Sequence, residues 1–382
     1  MKKVIVIGAG IAGASTAYHL AKLGAEVLIV DRQEQGQATA AAAGIICPWL
    51  SQRRNKAWYK LVKAGARYYA ELIEALAGEG ESDTGYAQVG ALCLQQETEK
   101  LVKLEERAQQ RLADAPEIGA VSMLSEQETI ARFPLLGAGQ AAVHVSGAAR
   151  VDGHKLSAAL LRGAQRQGAR LVHGSAAINY RGTHVNGVTI RGADGLSSSY
   201  EADEVVVCAG AWARELLQPL GLLFSIRPQK AQILHLELPP GYDASSWPVV
   251  IPPSTQYMLT FGSSRLVIGA THEDHAVDYD VRATAGGVYE ILHKGLEMAP
   301  GLADCTLQEV RVGFRPVAPG FLPVLGRMPG WGGLSAINGL GSSGLTVGPY
   351  AGRQLARLVL GLHTELDIAP YDVGQALAAP SP

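Results

Sequence analysis

The chain is poor in cysteine and nearly balanced in charge. Its 382 residues include four cysteines, Cys47, Cys93, Cys208 and Cys305, which lie far apart and form no CxxC pair. This usage argues against a zinc knuckle or a disulfide framework and predicts a reducing, cytoplasmic location. A formal net charge of −2 provides no general attraction for nucleic acid or an anionic membrane surface. Neither partner is expected.

Long apolar runs and metal-ligand spacings are also missing. No uninterrupted apolar run approaches the ~18 residues of a membrane span. The start, MKKVIVIGAGIAGA, imitates a signal peptide, but its glycines interrupt the apolar run, and a second strand follows that a cleaved leader would not need. The run His272-Glu273-Asp274-His275 matches no zinc signature, so no metal site is predicted.

Glycine, in contrast, is abundant, with 45 residues in a chain that is 47% hydrophobic. This composition fits a globular enzyme with tight turns near a ligand. Single cores stop growing near ~250 to 300 residues, so two domains are expected. No internal repeat or low-complexity linker separates them, which predicts domains that are woven together.

The strongest local pattern is a βαβ unit at the N-terminus. Apolar residues predict a strand at 3–7, a helix at 11–23 and a second strand at 25–30. Between the first strand and the helix stands Gly8-Ala9-Gly10-Ile11-Ala12-Gly13, a GxGxxG fingerprint. Its glycines permit the turn, the approach of pyrophosphate and close helix packing, and the first helical amides hold the phosphates.

Asp31 ends the second strand, where its carboxylate can bind a ribose hydroxyl and would repel a 2′-phosphate. The adjacent Arg32 weakens that argument against NADP, unless it is a solvated surface charge. The fingerprint alone does not separate FAD from NAD. The small residues from Gln37 to Gly44, with Ala42 and Ala43 among them, favour a large planar ring lying against the backbone, although an ordinary tight loop has the same composition.

The rest of the chain alternates between helical and strand patterns. Helices are predicted at 55–76, 97–112, 126–133, 152–168, 282–298 and 346–360. Strands are predicted at 170–173, 185–191, 204–209, 308–312 and 333–338, and a β-rich region at 226–271 contains a hairpin around Gly262-Ser263-Ser264.

Several ordered motifs resemble the D-amino acid oxidase family of FAD-dependent oxidoreductases, which includes glycine oxidase, sarcosine oxidase and the D-amino acid dehydrogenases. The motifs cover nearly the whole chain: VIVIGAGIAG with Asp31, AAAAG, VDG at 151–153, VVVCAGAWA at 205–213, Arg227-Pro228 with Gln232, GATHE at 269–273, VGFRPVAPGFLPVLG at 312–326 and NGLGSSGLT at 338–346. The resemblance implies an α/β fold in which a Rossmann-like FAD-binding domain is interwoven with an α+β substrate domain built on a β-sheet.

The implied domain bounds are 1–82, 145–222 and 312–376 for the FAD-binding domain, 83–144 and 223–311 for the substrate domain, and 377–382 for a tail. FAD is expected to be held non-covalently, since no cysteine or histidine stands out for attachment. The cofactor-binding residues expected from the fingerprint and the resemblance are Gly8, Gly10, Ile11, Ala12, Gly13, Asp31, Arg32, Ala42, Ala43, Gly44, Ala177, Ala209, Gly210, Trp212, Arg315, Gly339, Gly341, Ser342, Ser343, Gly344, Leu345 and Thr346.

Two residues are expected to act on the substrate. Arg315 stands where an arginine of this family holds the substrate carboxylate, which a guanidinium fork matches with two hydrogen bonds; the alternative is an arginine that pairs a structural acid. Tyr257 stands where glycine oxidase-like sequences carry a tyrosine over the flavin, and a merely buried tyrosine is equally consistent. The residues Met258 to Phe261 depart from the polar sequence usual in glycine oxidases, which suggests a bulkier or N-substituted substrate in place of glycine. Leu340 stands where the family often has a histidine.

The residues Gly339 to Thr346 lead into the last helix, whose positive end would face the flavin's pyrimidine oxygen, with capping by Ser342 or Ser343 as the alternative. The expected reaction is oxidation of a C–N bond of a small amino acid or secondary amine by hydride transfer to flavin N5, giving an imine that hydrolyses to an oxo acid or aldehyde and an amine. The acceptor is O₂ or an electron carrier.

Two other functions remain open at this stage. One is an NAD(P)-linked reductase on the same Rossmann unit, and the other is a non-catalytic flavin-binding partner module. Whether the chain forms a homo-oligomer is also left open by its sequence.

Overall fold

The elements follow the predicted order, with most bounds within a few residues. The structure, a computed structural model, describes residues 1–274 and 278–378. Its helices over these residues are α1 (Ile11–Lys22), α2 (Lys56–Gly78), α3 (Thr98–Leu112), α4 (Glu126–Arg132), α5 (Gly153–Arg166), α6 (Ala213–Leu217), α7 (Ala285–Met298) and α8 (Gly344–Val359). Its strands are β1 (Lys3–Ile7), β2 (Glu26–Asp31), β3 (Ile45–Ile46), β4 (Ala87–Gln88), β5 (Ala91–Gln95), β6 (Val121–Leu124), β7 (Ala141–Val145), β8 (Ala149–Arg150), β9 (Arg170–His173), β10 (Ser175–Arg181), β11 (His184–Arg191), β12 (Ser197–Glu201), β13 (Glu204–Val207), β14 (Arg227–Glu237), β15 (Val249–Ile251), β16 (Tyr257–Phe261), β17 (Arg265–Gly269), β18 (Thr306–Val317), β19 (Val324–Arg327) and β20 (Leu334–Asn338).

A six-stranded sheet carries the N-terminal βαβ unit. Its order is β19-β20-β13-β1-β2-β9, with all neighbours parallel except β19 and β20. Successive residues of β1 point to opposite faces, as the strand period requires. Val4 and Val6 pack with α1, α5 and α8, whereas Ile5 and Ile7 pack toward the small sheet β10-β11-β12. Both faces are therefore covered, which explains why β1 is apolar without interruption from Val4 to Ile7.

An eight-stranded sheet forms the second layer, in the order β18-β14-β17-β16-β15-β5-β7-β6. The predicted hairpin is confirmed as β16 and β17, antiparallel and joined at residues 262–264. The sheet also recruits β5, β6 and β7, which the sequence did not predict. Every residue of β5 is buried, so the strand shows no alternation of apolar and polar residues that would have revealed it.

The proposed domain bounds cut through this sheet at two places. Residue 312 falls inside β18, and residue 145 is the last residue of β7. The assignment of 1–82, 145–222 and 312–376 against 83–144 and 223–311 therefore remains a prediction about where the cores divide. Within the proposed tail, Leu377 forms a bridge with Phe224, and residues 379–382 lie outside the described part of the chain.

Several helix starts match their sequence signals. Asp152 caps α5 by accepting from the amides of His154 and Lys155 at 3.1 and 3.2 Å, and Ser125 and Glu128 form a capping box on α4. Among the described residues, no helix combines the length and the apolar character needed to cross a membrane.

Helix α2 packs on the N-terminal end of α8 through a single glycine. A Cβ placed at Gly65 would clash with the carbonyl oxygen of Thr346, so the two backbones approach where a side chain would separate them. Tyr69, one turn further along α2, donates to the Leu345 carbonyl at 2.5 Å. This contact fixes the start of α8, which borders the cavity described below.

We expect Gly65→Ala to destabilise the fold by about 1 to 3 kcal/mol, because overpacking outweighs the gain in helix propensity. The matched control is Gly78→Ala at the end of the same helix, where an added Cβ meets nothing within 4 Å. That control should be neutral or stabilising by about 0.4 to 1 kcal/mol. Urea unfolding measures both variants; equal effects at the two positions would contradict the packing argument.

Candidate active site

The turn between β1 and α1 leaves no room for side chains. Gly8 has a φ of +104°, and its amide donates to the Val30 carbonyl at 2.8 Å. A Cβ at Gly13 would clash with the carbonyl oxygen of Gly8, and one at Gly10 would lie 3.2 Å from Thr39 Oγ1. Helix α1 begins without a side-chain cap. The turn therefore presents backbone amides and the positive end of a helix, as a phosphate site requires.

Asp31 lies at the end of β2, beside this turn. Its Oδ2 accepts from the Ala9 amide at 2.6 Å, and its Oδ1 accepts from the Gln33 amide at 2.6 Å and from Gln37 Nε2 at 3.1 Å. The carboxylate is buried and lines the cavity. It thus fixes the conformation of the glycine turn and presents acceptor capacity to a ribose.

Arg32 is occupied by acids. Its guanidinium pairs with Glu34 at 2.6 Å and with Glu215 at 3.6 Å, and it lies over the Trp212 ring, 5.8 Å from the centroid. Two carboxylates beside Arg32 disfavour a 2′-phosphate at this end of the cavity. The structure therefore weakens the NADP interpretation that the sequence had left open.

The small-residue loop after β2 is held by the edge strand of the eight-stranded sheet. The Phe314 amide donates to the Gly36 carbonyl at 2.9 Å, and Arg311 Nη1 donates to the Ala40 carbonyl at 3.3 Å. At Gly313 an added Cβ would come within 2.7 Å of the Ala41 Cβ. The loop lies flat against β18, which leaves its other side open to the cavity.

The N-terminal end of α8 borders the same cavity. Its N-cap, Ser343, makes no side-chain capping bond and instead accepts from Trp58 Nε1 at 3.2 Å. The alternative of simple helix capping is therefore wrong for Ser343. Gly341, Ser342 and Gly344 line the cavity with the amide-rich end of the helix facing it.

Arg315 and Tyr257 lie together at the end of the cavity formed by the eight-stranded sheet. Arg315 Nη1 donates to Gln229 Oε1 at 3.4 Å, and Gln229 Nε2 donates to Asp274 Oδ1 at 2.9 Å. Burial raises the pKa of the Tyr257 hydroxyl to about 12, against the opposing effect of the Arg315 guanidinium. Burial also lowers the pKa of Arg315 from its ordinary value, with Tyr257 opposing this shift, yet a guanidinium stays protonated in proteins.

His272 also lines this end of the cavity, a role that the sequence missed because the residue had been considered only as a metal ligand. Partial burial lowers the pKa of its imidazole, and the nearby Arg315 guanidinium lowers it further. Among the described residues, no cluster of three or more histidine, cysteine, aspartate or glutamate side chains could hold a metal ion. His275, the other histidine of that run, lies outside the described residues.

These features surround one cavity of about 570 Å³, within the range of cofactor and ligand sites. Most of the sequence-predicted residues line it: Gly8, Gly10, Ile11, Ala12, Asp31, Arg32, Ala42, Ala43, Gly44, Ala209, Gly210, Trp212, Tyr257, Arg315, Gly341, Ser342, Gly344 and Leu345. Further lining residues that the sequence did not single out include Thr39, Ser175, Ala176, Glu215, Ile233 and Thr255. Their strands and loops are distant in sequence, and no local motif marks them.

Five predicted residues do not line the cavity. Gly13 packs beneath the turn, Gly339 packs against Ala318, and Thr346 donates to the Ile45 carbonyl at 3.2 Å. Ser343 is engaged by Trp58, as described above. The fifth is Ala177 of β10, which pairs with Thr189 of β11. The preceding residue, Ala176, lines the cavity. Neighbouring strand residues point to opposite faces, and the role of Ala177 in cofactor binding stays a prediction.

The departure at Met258 to Phe261 has a structural explanation. Met258, Leu259 and Thr260 are buried within the eight-stranded sheet, and only Tyr257 of this strand lines the cavity. The departure therefore reflects the packing of the sheet. Leu340, in contrast, does line the cavity and places an apolar side chain beside the start of α8.

The residues present fit FAD. The glycine turn and the start of α1 would hold the pyrophosphate, Asp31 the ribose, and the loop at 41–44 with the start of α8 the isoalloxazine. The model for the family described as "DAO: FAD dependent oxidoreductase" matches residues 3–358. The chain belongs to this family. Its cofactor is FAD, and the nicotinamide alternative is thereby set aside.

Relatives of this chain match it over almost its full length. An uncharacterized oxidoreductase of Bacillus subtilis, YurR, is 56% identical over 99% of this chain and 100% of its own length. Glycine oxidase of Pseudomonas aeruginosa is 30% identical over 97% and 98% of the two chains. The crystal structure of iminodiacetate oxidase from Chelativorans sp. BNC1 matches with a TM-score of 0.91 and 47% identity, covering 97% of this chain and 98% of that one.

These findings establish the chain as an FAD-dependent oxidoreductase enzyme of the DAO family, similar to glycine and iminodiacetate oxidases. They also confirm the mixed α/β fold. The named relatives are enzymes, so the alternative of a non-catalytic flavin-binding module is set aside.

We expect Asp31→Ala to lower the retained FAD several-fold, because the variant loses both the ribose acceptor and the bond that holds Ala9 in the turn. The absorbance near ~450 nm relative to that of the protein measures flavin content. Asp203→Ala is the matched control, since that carboxylate also accepts a backbone amide, from Lys3 at 2.7 Å, but lies away from the cavity. Equal flavin loss in both variants would refute the role of Asp31.

Proposed function

We propose that this enzyme oxidises the C–N bond of a small amino acid whose nitrogen is a secondary amine, and that an iminodiacetate-like dicarboxylate is the favoured substrate. The observation that carries the proposal is the Arg315 guanidinium, which borders the cavity beside Tyr257 and pairs with the neutral Gln229 but with no carboxylate among the described residues. A largely buried cation without an acid is costly unless an anion binds it. A substrate carboxylate supplies that anion.

Arg315 would orient the substrate through its carboxylate. Its neighbour Gln229 holds one guanidinium nitrogen, and Asp274 anchors Gln229 from the other side. Such a chain of hydrogen bonds limits the rotamers of the arginine and fixes the α-carbon of the substrate. The protonated Tyr257 hydroxyl can donate to the same carboxylate, since its raised pKa keeps the proton in place.

His272 would recognise a second carboxylate. It lines the arginine end of the cavity together with Thr255 and Tyr257. The similarity to iminodiacetate oxidase, at 47% identity, favours a substrate with two carboxylates on either side of a secondary amine. A substrate such as sarcosine lacks the second carboxylate and would make no use of His272.

The chemistry asks little of protein acids and bases. Bound FAD would supply the hydride acceptor for oxidation at the α-carbon, and water would hydrolyse the imine to an oxo acid and an amine. The carboxylates that line the cavity, Asp31, Glu34 and Glu215, belong to the end that contains the glycine fingerprint. The residues at the other end therefore position the substrate and exclude water, and catalysis rests on orientation.

FAD is proposed to be held without a covalent bond. Cys208 lines the cavity but lies buried beneath Gly8 and Gly13, where burial raises the pKa of its thiol to about 12. A protonated, buried thiol is a poor nucleophile. The electron acceptor is proposed to be O₂, by analogy with the named oxidases, with a carrier as the alternative; hydrogen peroxide formation in air distinguishes the two.

We expect Arg315→Ala to reduce kcat/KM by at least about thirtyfold, since removing a charge-assisted pair costs about 2 to 5 kcal/mol. FAD content should stay normal. Anaerobic bleaching of the flavin with iminodiacetate, sarcosine, glycine and D- and L-amino acids measures both substrate range and rate. Arg191→Ala is the control, because this arginine is the last residue of β11 and does not line the cavity. Unchanged bleaching by Arg315→Ala would exclude the carboxylate role.

We expect the KM for iminodiacetate to rise with pH, while the KM for sarcosine stays flat over the same range. The pKa of His272 is lowered in the free enzyme, and a second carboxylate bound beside the ring would raise it. Binding therefore takes up a proton and weakens as pH rises through the bound-state pKa. The other charged groups that act on the ring are Arg315, Asp274 and Glu290.

The matched variant is His272→Gln, which keeps a donor and removes the titration. It should raise the KM for iminodiacetate about tenfold at low pH, as expected when a charge-assisted hydrogen bond is replaced by a neutral one. The pH dependence should disappear, and sarcosine oxidation should be unaffected. An equal rise in the KM for both substrates would mean that His272 does not bind the second carboxylate.

A further inference from the structure

A second cavity of about 650 Å³ opens between the start of α2 and the end of α3, and we call it the basic pocket. None of its lining residues lines the flavin cavity. The lining consists of Gln52, Arg53, Arg54, Asn55, Lys56, Tyr59, Lys60, Lys63, Arg107, Arg111 and Asp114. The proposed reaction uses none of them.

The charge of the basic pocket is one-sided. Seven cationic side chains and one carboxylate line it, an excess of six positive charges, in a protein whose formal net charge is −2. The carboxylate, Asp114, already pairs with Lys63 at 2.5 Å. Arg54, Lys56, Lys60 and Arg107 make no hydrogen bond or ion pair with any residue that the structure describes. A cleft lined by one sign of charge concentrates ions of the opposite sign.

This arrangement is unfavourable for the helices that carry it. Lys56 and Lys60 on α2, and Arg107 and Arg111 on α3, are like-charge pairs four residues apart, which lower helix stability. The first turn of α2 contains no acidic residue, so its cations stand at the positive end of the helix dipole. Each repulsion is relieved by one event, the binding of an anion between the two helices.

One of the lining residues, Tyr59, has a polar group without a partner among the described residues. The hydroxyl of Tyr59 is buried and makes no hydrogen bond within the described residues. Burial raises its pKa to about 12, so it stays a donor. Arg111 stacks over this ring at 4.4 Å and donates to the carbonyls of Trp49 and Ser51, which fixes one side of the pocket. An unmade bond at a buried hydroxyl is costly.

We infer that the basic pocket binds a small molecule that carries two or more phosphate groups. Six excess positive charges around a cavity of this size favour a ligand with several negative charges in a small volume. A phosphate group supplies about −1.5 to −2, whereas a carboxylate supplies one charge. Arginine forks and lysine ammonium groups are the side chains that bind phosphate oxygens. The site is independent of the proposed substrate.

The test is isothermal titration of the FAD-saturated enzyme with inorganic pyrophosphate at low ionic strength. Saturation with FAD keeps pyrophosphate out of the glycine turn. The wild-type enzyme should bind, with an affinity that falls as salt increases. The triple variant Lys56→Gln, Lys60→Gln, Arg107→Gln should bind at least tenfold more weakly. These substitutions keep helix propensity and remove repulsion, so circular dichroism and the Tm should show a folded protein.

Arg170→Gln is the matched control, because this exposed arginine lies on β9 and lines neither cavity. It should bind pyrophosphate like the wild type. Two further probes distinguish a small phosphate ligand from a polycarboxylate and from an anionic lipid surface. Citrate should bind at least tenfold more weakly than pyrophosphate, and vesicles of phosphatidylserine should not compete with it.

Absence of pyrophosphate binding at low salt would overturn the inference. So would equal binding by the wild type and the triple variant, since the anion would then sit elsewhere. Tighter binding of citrate than of pyrophosphate would mean that the pocket binds polycarboxylates and not phosphates. Binding of vesicles alone would identify a membrane-facing surface. Each of these outcomes leaves the amine oxidation untouched, because that reaction is measured by flavin bleaching in the separate cavity.

Discussion

The backbone contact between strand β18 and the loop at residues 36–44 is the constraint on which the active site depends. Phe314 donates its amide to Gly36, and the neighbouring Gly313 leaves no room for a side chain against Ala41. The loop continues the N-terminal βαβ unit, whereas β18 is the edge of the eight-stranded sheet. Since Arg315 follows directly in β18, a shift of this contact by one residue would turn the arginine away from the cavity.

Charge is distributed along the cavity in a way that orients its contents. Asp31, Glu34 and Glu215 surround the end formed by β2, and Arg315 and His272 border the end formed by the eight-stranded sheet. Backbone amides at the starts of α1 and α8 add positive potential where no side chain is available. A cofactor with phosphates in its middle and an anionic substrate beyond its ring would match this order of charges.

The two cavities differ in how their cationic side chains are paired. In the flavin cavity each cation has a defined neighbour, such as Gln229 at Arg315 or Glu34 at Arg32. In the basic pocket four cations have no hydrogen-bonding or ion-pair partner among the described residues. The helices that carry them are anchored by packing elsewhere, for example by Tyr69 and Gly65 of α2 against α8. Tertiary packing therefore supports charges that the isolated helices would not tolerate together.

The sequence by itself determined the βαβ unit, the glycine turn, Asp31 and the hairpin, because short-range geometry and side-chain chemistry fix each of them within a few residues. Arg315 was indicated only by the resemblance of its motif to a known family. The sequence did not predict β5 to β7, because β5 is buried throughout and shows no alternation, and β6 and β7 are only four and five residues long. Tertiary structure alone decided which of the distant segments meet. His272, Thr39 and Thr255 line the cavity through loops and strands that no local pattern connects, since the positions where separate strands and loops converge depend on the packing of the two large sheets.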